Sequence, residues 1–118
     1  PNEEFKHLLV GQFNLRKTLI QLIDFEIAEA HQGKKASILL KVNSLQDEEM
    51  IEKLYEASQA GVKVELNLRG ICSLMAGKKN LSENITAYSI VDRFLEHSRI
   101  FIFHHGGQQL LARHHTRL

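Results

Sequence analysis

The chain has 118 residues, of which 43% are hydrophobic and 25% charged, and its formal net charge is +1. This is the length of one domain with an ordinary globular composition; a charge so near zero excludes a whole-molecule field for nucleic acid or a membrane surface, so any anion site must be local. The single Cys72 excludes an internal disulfide, and no apolar run approaches the roughly 20 residues that a membrane span needs. No signal-peptide pattern opens the chain. A cytoplasmic location, or one peripheral to the inner membrane, is expected, and neither nucleic acid nor a transmembrane segment is.

Taken in order, Phe5, Leu8, Leu9 and Val10 read as a short strand or a packed lead-in, broken by Gly11. Asn14 is placed to cap a helix N-terminus. Apolar residues at 15, 19, 22, 23, 27 and 30 have helical spacing, so a helix is predicted from about Leu15 to Gln32, with Gly33 as its C-terminal stop. Ala36 to Val42 is a short apolar run and reads as a buried strand. Ser44 or Asp47 then caps a second helix, whose acidic start at Asp47, Glu48 and Glu49 suits the positive end of the helix dipole. Gly61 closes that helix. Val62, Val64, Leu66 and Leu68 alternate with polar residues, which is strand periodicity. Residues 36 to 68 therefore form a strand-helix-strand unit with parallel strands and a right-handed crossover.

Residues 70 to 84 read as a loop with room for one helical turn, and Thr86 to Ile90 as a strand. Val91 to His97 is a bend or short helix, Arg99 to Phe103 a further buried strand, and no pattern is visible after Gly106. No repeat, linker or second domain is seen.

In open α/β sheets ligands gather outside the carboxyl ends of the strands. Here those ends deliver Lys41, Asn43 and Ser44 after one strand, and Asn67, Arg69 and Gly70 after the next. The segment before the last strand delivers His97 and Arg99, within a polar cluster that also holds Asp92, Arg93 and Glu96. A His-x-Arg step entering a strand points both side chains the same way. Imidazole exchanges a proton, or takes a phosphoryl group, near neutral pH, and a guanidinium grips phosphate oxygens with a planar fork. Taken singly, an Arg at a strand end is more often a surface ion-pair partner, and a His beside Glu96 more often a hydrogen-bonded structural residue. His104-His105 and His114-His115 are poor chelates, because neighbours on a strand point to opposite faces. Neither a GxxxxGK[ST] nor a GxGxxG loop occurs.

The pieces FKHLLV, FNLR, LIDFEIAEAHQG, LKVNSL, LYEASQAGVKVEL, LRGICSL, LSENI and SIVDRFLEHSRIFIF, spread from Phe5 to Gly107, resemble the last catalytic domain of bacterial polyphosphate kinase, an enzyme of phospholipase D-like fold. The fold implied is an α/β phospholipase D-like sheet with a strand-helix-strand crossover and flanking helices. Residues 1–107 would be that domain, and 108–118 a divergent or truncated tail, with the sheet short of a strand at its C-terminal end. Where the family pattern runs on into a strand and a Ser-Ser-Ala-Asp-Trp-like motif, this sequence reads QQLLARHHTRL.

The resemblance implies reversible transfer of the terminal phosphate of ATP to polyphosphate. His97 in FLEHSR would be the second, assisting histidine, since the phosphorylated one belongs to the preceding domain. Arg69 in LRG would contact phosphate, and Arg99 stands where phospholipase D-like domains carry the Lys of a His-x-Lys motif. It also implies magnesium, held mainly by other domains, with ATP or ADP, polyphosphate and the remaining domains of the parent enzyme as partners. The isolated chain is expected to be inactive. The edge left by the missing strand would invite a homo-oligomer. Two other readings compete. A phospholipase D-like half-domain lacks its Lys and following Asp here; a non-catalytic assembly module would show no salt-sensitive phosphate binding through Arg69 and Arg99.

Overall fold

The computed structural model describes residues 5–90 and 98–115. His97, with Asp92, Arg93 and Glu96, lies outside them. Strand β1 spans Lys6–Leu9. Helix α1 (Leu15–His31) follows a 3₁₀ turn over Gln12–Asn14, and this turn changes the expected cap: Asn14 stands at the N-cap but makes no side-chain cap bond. Gly33 takes the expected left-handed conformation just past the end of α1. Strand β2 (Ser37–Val42) leads to helix α2 (Glu48–Ala60), where Asp47 is the cap, its carboxylate accepting from Met50 N at 3.0 Å. Gly61 ends α2 at φ 106°, a conformation that costs glycine little. Strands β3 (Lys63–Leu68), β4 (Ile85–Ser89), β5 (Ser98–Phe103) and β6 (Leu110–His115) complete the order. The segment between β3 and β4 holds turns rather than a helix, braced by the buried Ser82, whose hydroxyl donates to the Met75 carbonyl.

The six strands form one sheet in the order β1-β6-β5-β2-β3-β4. Strands β2, β3 and β4 are mutually parallel, as the crossover reading requires, and β5 runs antiparallel to both β2 and β6. Alternate residues point into the core: Ile38, Leu40 and Val42 of β2, Val64, Leu66 and Leu68 of β3, Phe101 and Phe103 of β5. Leu19, Ile23 and Ile27 of α1, and Met50, Ile51, Leu54 and Ala57 of α2, pack on them. The two helices are clasped across their surface by Arg16, which pairs with Asp47 and Glu49, and by Lys53, which pairs with Asp24.

The tail departs from expectation. Leu110–His115 pairs with β5 on one side and β1 on the other, so the strand expected to be missing is present and the sheet has no gap there. Its inward row is Leu110, Ala112 and His114. His114 is a polar residue in an apolar row, satisfied by its Nδ1 lying 3.0 Å from the Val10 carbonyl oxygen. The outer strands of the sheet are β1 and β4.

A buried carboxylate holds the opposite end. Glu26 of α1 is fully buried; its Oε1 accepts from Ser37 N at 3.2 Å and its Oε2 from His105 N at 3.0 Å. It thereby ties α1 to the start of β2 and to the turn after β5, where the His105 ring stacks on Phe25 at 4.5 Å. Burial pushes the Glu26 carboxyl above its usual value of 4.5, and the two backbone donors and the neighbouring His104 and His105 pull it partly back. A raised carboxyl means that the folded state binds the proton more tightly than the unfolded one. Glu26 therefore favours folding most below pH 4.5 and loses that contribution as pH rises through its folded value. Glu26→Gln keeps one acceptor oxygen for two backbone donors and should cost about 1–3 kcal/mol near neutrality. In urea titrations the gap between wild type and variant should widen as pH falls toward 4.5; a gap that narrows would contradict the raised carboxyl.

Candidate functional site

Parallel strands β2, β3 and β4 present their carboxyl ends at one edge of the sheet, where antiparallel β5 begins. Val42 pairs with Leu68 and Lys41 with Ile100, so Asn43, Arg69 and Arg99 all reach this edge within three neighbouring strands. His97 immediately precedes β5 in sequence and lies outside the described residues.

Past the strands the backbones stay zipped together. Leu45 N donates to the Ile71 carbonyl and Ser73 N to the Leu45 carbonyl, each at 2.9 Å, and Leu45 and Cys72 form a parallel bridge. Gly70 makes this approach sterically feasible, because a Cβ there would stand 2.9 Å from the Asn43 carbonyl oxygen. The side chains are joined as well: Arg69 Nη1 donates to Asn43 Oδ1 at 3.0 Å. Arg69 is half-buried and Asn43 exposed.

The two arginines leave the sheet on opposite faces. Arg99 shares the inward alternation of Phe101 and Phe103 and lines a cavity of about 370 Å³ with Leu19, Val42, Met50 and Phe101, under the helices. Arg69 continues the alternation of Glu65 and Asn67, away from the helices. The edge thus gathers positive charge but does not point it at one spot. Lys41 and Asn67, also read as edge residues, are half-buried on the face of Arg69. Arg16, which the sequence did not single out, lines the same cavity, as does Asp47. Its signal was the acidic run that starts α2, which both caps the helix and attracts a cation from α1. Among the described residues no three His, Cys, Asp or Glu side chains form a donor set for a metal ion. No helix among them is long and apolar enough to cross a membrane.

Gly70→Ala forces a new methyl against a backbone oxygen that the paired loops hold in place. The expected cost is about 1–3 kcal/mol of stability, together with movement of the Arg69 and Asn43 resonances in an NMR spectrum. An unchanged melting temperature and spectrum would show that the loops yield without cost.

A family model described as "Polyphosphate kinase C-terminal domain 2" matches residues 8–111. The polyphosphate kinase of Vibrio vulnificus is 53% identical over 104 residues, covering 88% of this chain and 15% of that protein. That of Halalkalibacterium halodurans is 55% identical over the same length and the same shares, and that of Dictyostelium discoideum 51% identical over 104 residues, 10% of its length. The crystal structure of polyphosphate kinase from Porphyromonas gingivalis superposes with a TM-score of 0.77 at 43% identity, over 94% of this chain and 18% of that one. The chain therefore spans about one sixth of these bacterial relatives. Across nearly all of its described sheet and both helices, this chain belongs to the family of polyphosphate kinase C-terminal domains.

Proposed function

We propose that this chain is the part of a polyphosphate kinase that presents positive charge, and an assisting imidazole, to the phosphates in transit. The parent reaction moves the terminal phosphoryl group of ATP onto polyphosphate, leaving ADP and a chain one unit longer, and it runs in reverse to make ATP. The observation that carries this reading is the identity of about half of all residues with polyphosphate kinases over 104 positions. Phosphoryl transfer asks a protein mainly for positioning and for charge around the equatorial oxygens. In this reading Arg69, on the turn that Gly70 permits, grips phosphate. Arg99 adds charge from the cavity side, and His97 moves a proton or steadies the phosphoryl group. Polyphosphate, ATP or ADP, and the remaining domains of the parent are the partners. Magnesium belongs to the expected reaction, and the described residues offer it no group of three His, Cys, Asp or Glu donors. A homo-oligomer, if the parent forms one, has the outer strands β1 and β4 or the sheet face to use, since β6 is covered on both sides.

In a full-length polyphosphate kinase carrying residues 8–111 of this chain, His97→Ala should lower the synthesis rate about 10²- to 10⁴-fold, the range of a lost acid–base group. Near-normal turnover would remove His97 from the chemistry. Arg69→Lys keeps the charge but loses the planar fork. It should lower kcat/KM for polyphosphate about ten- to a hundredfold, the weight of a charge-assisted hydrogen bond. Unchanged constants would count against a phosphate role. For the chain by itself, an NMR titration with polyphosphate and then ADP should move Arg69 and Arg99 at millimolar ligand. A spectrum that stays still, in a chain that remains folded, would mean that the anion site is not preformed here.

A further inference from the structure

We infer that the cavity beneath the helices is a binding site for a small amphipathic anion, a carboxylate or phosphate monoester that carries a compact apolar body and is held by Arg99. The inference goes beyond the function proposed above and makes no use of Arg69; the two readings share Arg99 alone. The cavity has a volume of about 370 Å³, within the roughly 300–1,000 Å³ usual for small-molecule sites. Its apolar lining comes from four elements: Leu19 and Ile23 of α1, Leu40 and Val42 of β2, Met50 of α2 and Phe101 of β5. Ser44 and Gln46 also line it and are exposed, so the space communicates with solvent.

Among the described residues the charged side chains that line this space are Arg16, Asp47 and Arg99, and the first two are committed to each other. Asp47 Oδ1 accepts from Met50 N at 3.0 Å and from Arg16 Nη2 at 2.9 Å, and its Oδ2 lies 2.6 Å from Arg16 Nη1. Arg16 Nε donates in addition to Glu49 Oε1 at 2.7 Å. Arg99 differs from both. It is half-buried, and among the described residues nothing takes a hydrogen bond or an ion pair from it. His114, its cross-strand neighbour on β6, has its Nδ1 at the Val10 carbonyl oxygen instead. A guanidinium drawn partly out of water with no acceptor leaves hydrogen-bonding capacity unmet, and an oxyanion would satisfy it. The planar fork fits the paired oxygens of a carboxylate or a phosphate. The walls around it are apolar, so the anion that fits is one whose remaining atoms gain by leaving water.

Phenyl phosphate and octanoate are the probes for an NMR titration of the 118-residue chain. Inorganic phosphate is the control anion without a body, and benzyl alcohol the control body without an anion. Both probes should bind saturably and give intermolecular NOEs to the methyl groups of Leu19 and Met50; the tighter of the two tells phosphate monoester from carboxylate. Each control should bind at least about tenfold more weakly, since it lacks either the charge-assisted bonds or the apolar burial. Arg99→Met keeps an apolar side chain against the walls and should weaken both probes about ten- to a hundredfold. The NOEs in the unaltered chain locate the ligand whether or not that variant folds. A control that binds as tightly as the probes, or no NOE at Leu19 and Met50, overturns the inference. Polyphosphate added to the probe-bound chain separates this site from the function proposed above. Release of the probe places both ligands on Arg99. A bound probe, with an Arg99 Nε signal that polyphosphate leaves unmoved, keeps the inference and removes Arg99 from phosphoryl transfer. An Arg99 Nε signal that polyphosphate moves, in a chain that binds neither probe, overturns the inference and leaves the phosphate role standing.

Discussion

The edge of this domain hangs from the register of β2. That strand is gripped on one side by parallel β3 and on the other by antiparallel β5, so two independent ladders of backbone hydrogen bonds fix its position. A slip of one residue against either neighbour would turn Ile38, Leu40 and Val42 out of the core and put Ser37, Leu39 and Lys41 in their place. The same slip would part Asn43 from Arg69 and drive the Asn43 carbonyl away from Gly70. Core burial thus enforces the placement of the polar edge, although none of the edge residues contributes much burial itself. At the other end of β2 the Glu26 carboxylate takes Ser37 N, and the Ser37 carbonyl in turn accepts from His104 N. A strand pinned at both ends and paired on both sides is a rigid platform for long, flexible side chains.

Much of this was legible in the sequence because it is periodic. The apolar stripe of α1, the acidic start of α2 and the alternation of Val62 to Leu68 each carry a local signal, and local signals survived folding almost residue for residue. Strand β6 was not legible, since one of its three inward positions is His114, whose polarity is absorbed by a carbonyl far away in sequence. Glu26 looks like any surface carboxylate of an amphipathic helix, because its donors, Ser37 and His105, lie in other elements. Asn14 occupies a cap position and does not cap, since the 3₁₀ turn before it changes the entry of the chain. Arg69 and Arg99 were both readable as edge residues. Their opposite faces were not, because alternation fixes the phase within a strand and says nothing of the phase between strands.

The carboxyl edge of the parallel strands gathers arginines, and the described residues assemble no donor set for a cation. The relatives of this chain are about six times longer than it is. At this edge Asn43 accepts from Arg69, and its carbonyl lies against Gly70. The clear ion pairs, those of Arg16 and Lys53, stand on the helices, where they join α1 to α2.

The two outer strands of the sheet differ in when they can be built. Strand β4 completes a run of neighbours that are close in sequence, and it can be laid down as soon as β3 exists. Of the described strands β1 is synthesised before the others, yet among them it pairs with β6 alone, at the far end of the described chain. Closing so long a loop carries an entropic cost that no local contact offsets early. On the ribosome, where segments emerge in order, Lys6–Leu9 must wait unpaired while the other five strands assemble, with Leu9 exposed even in the finished fold. Of the described strands, the first made is the last one seated.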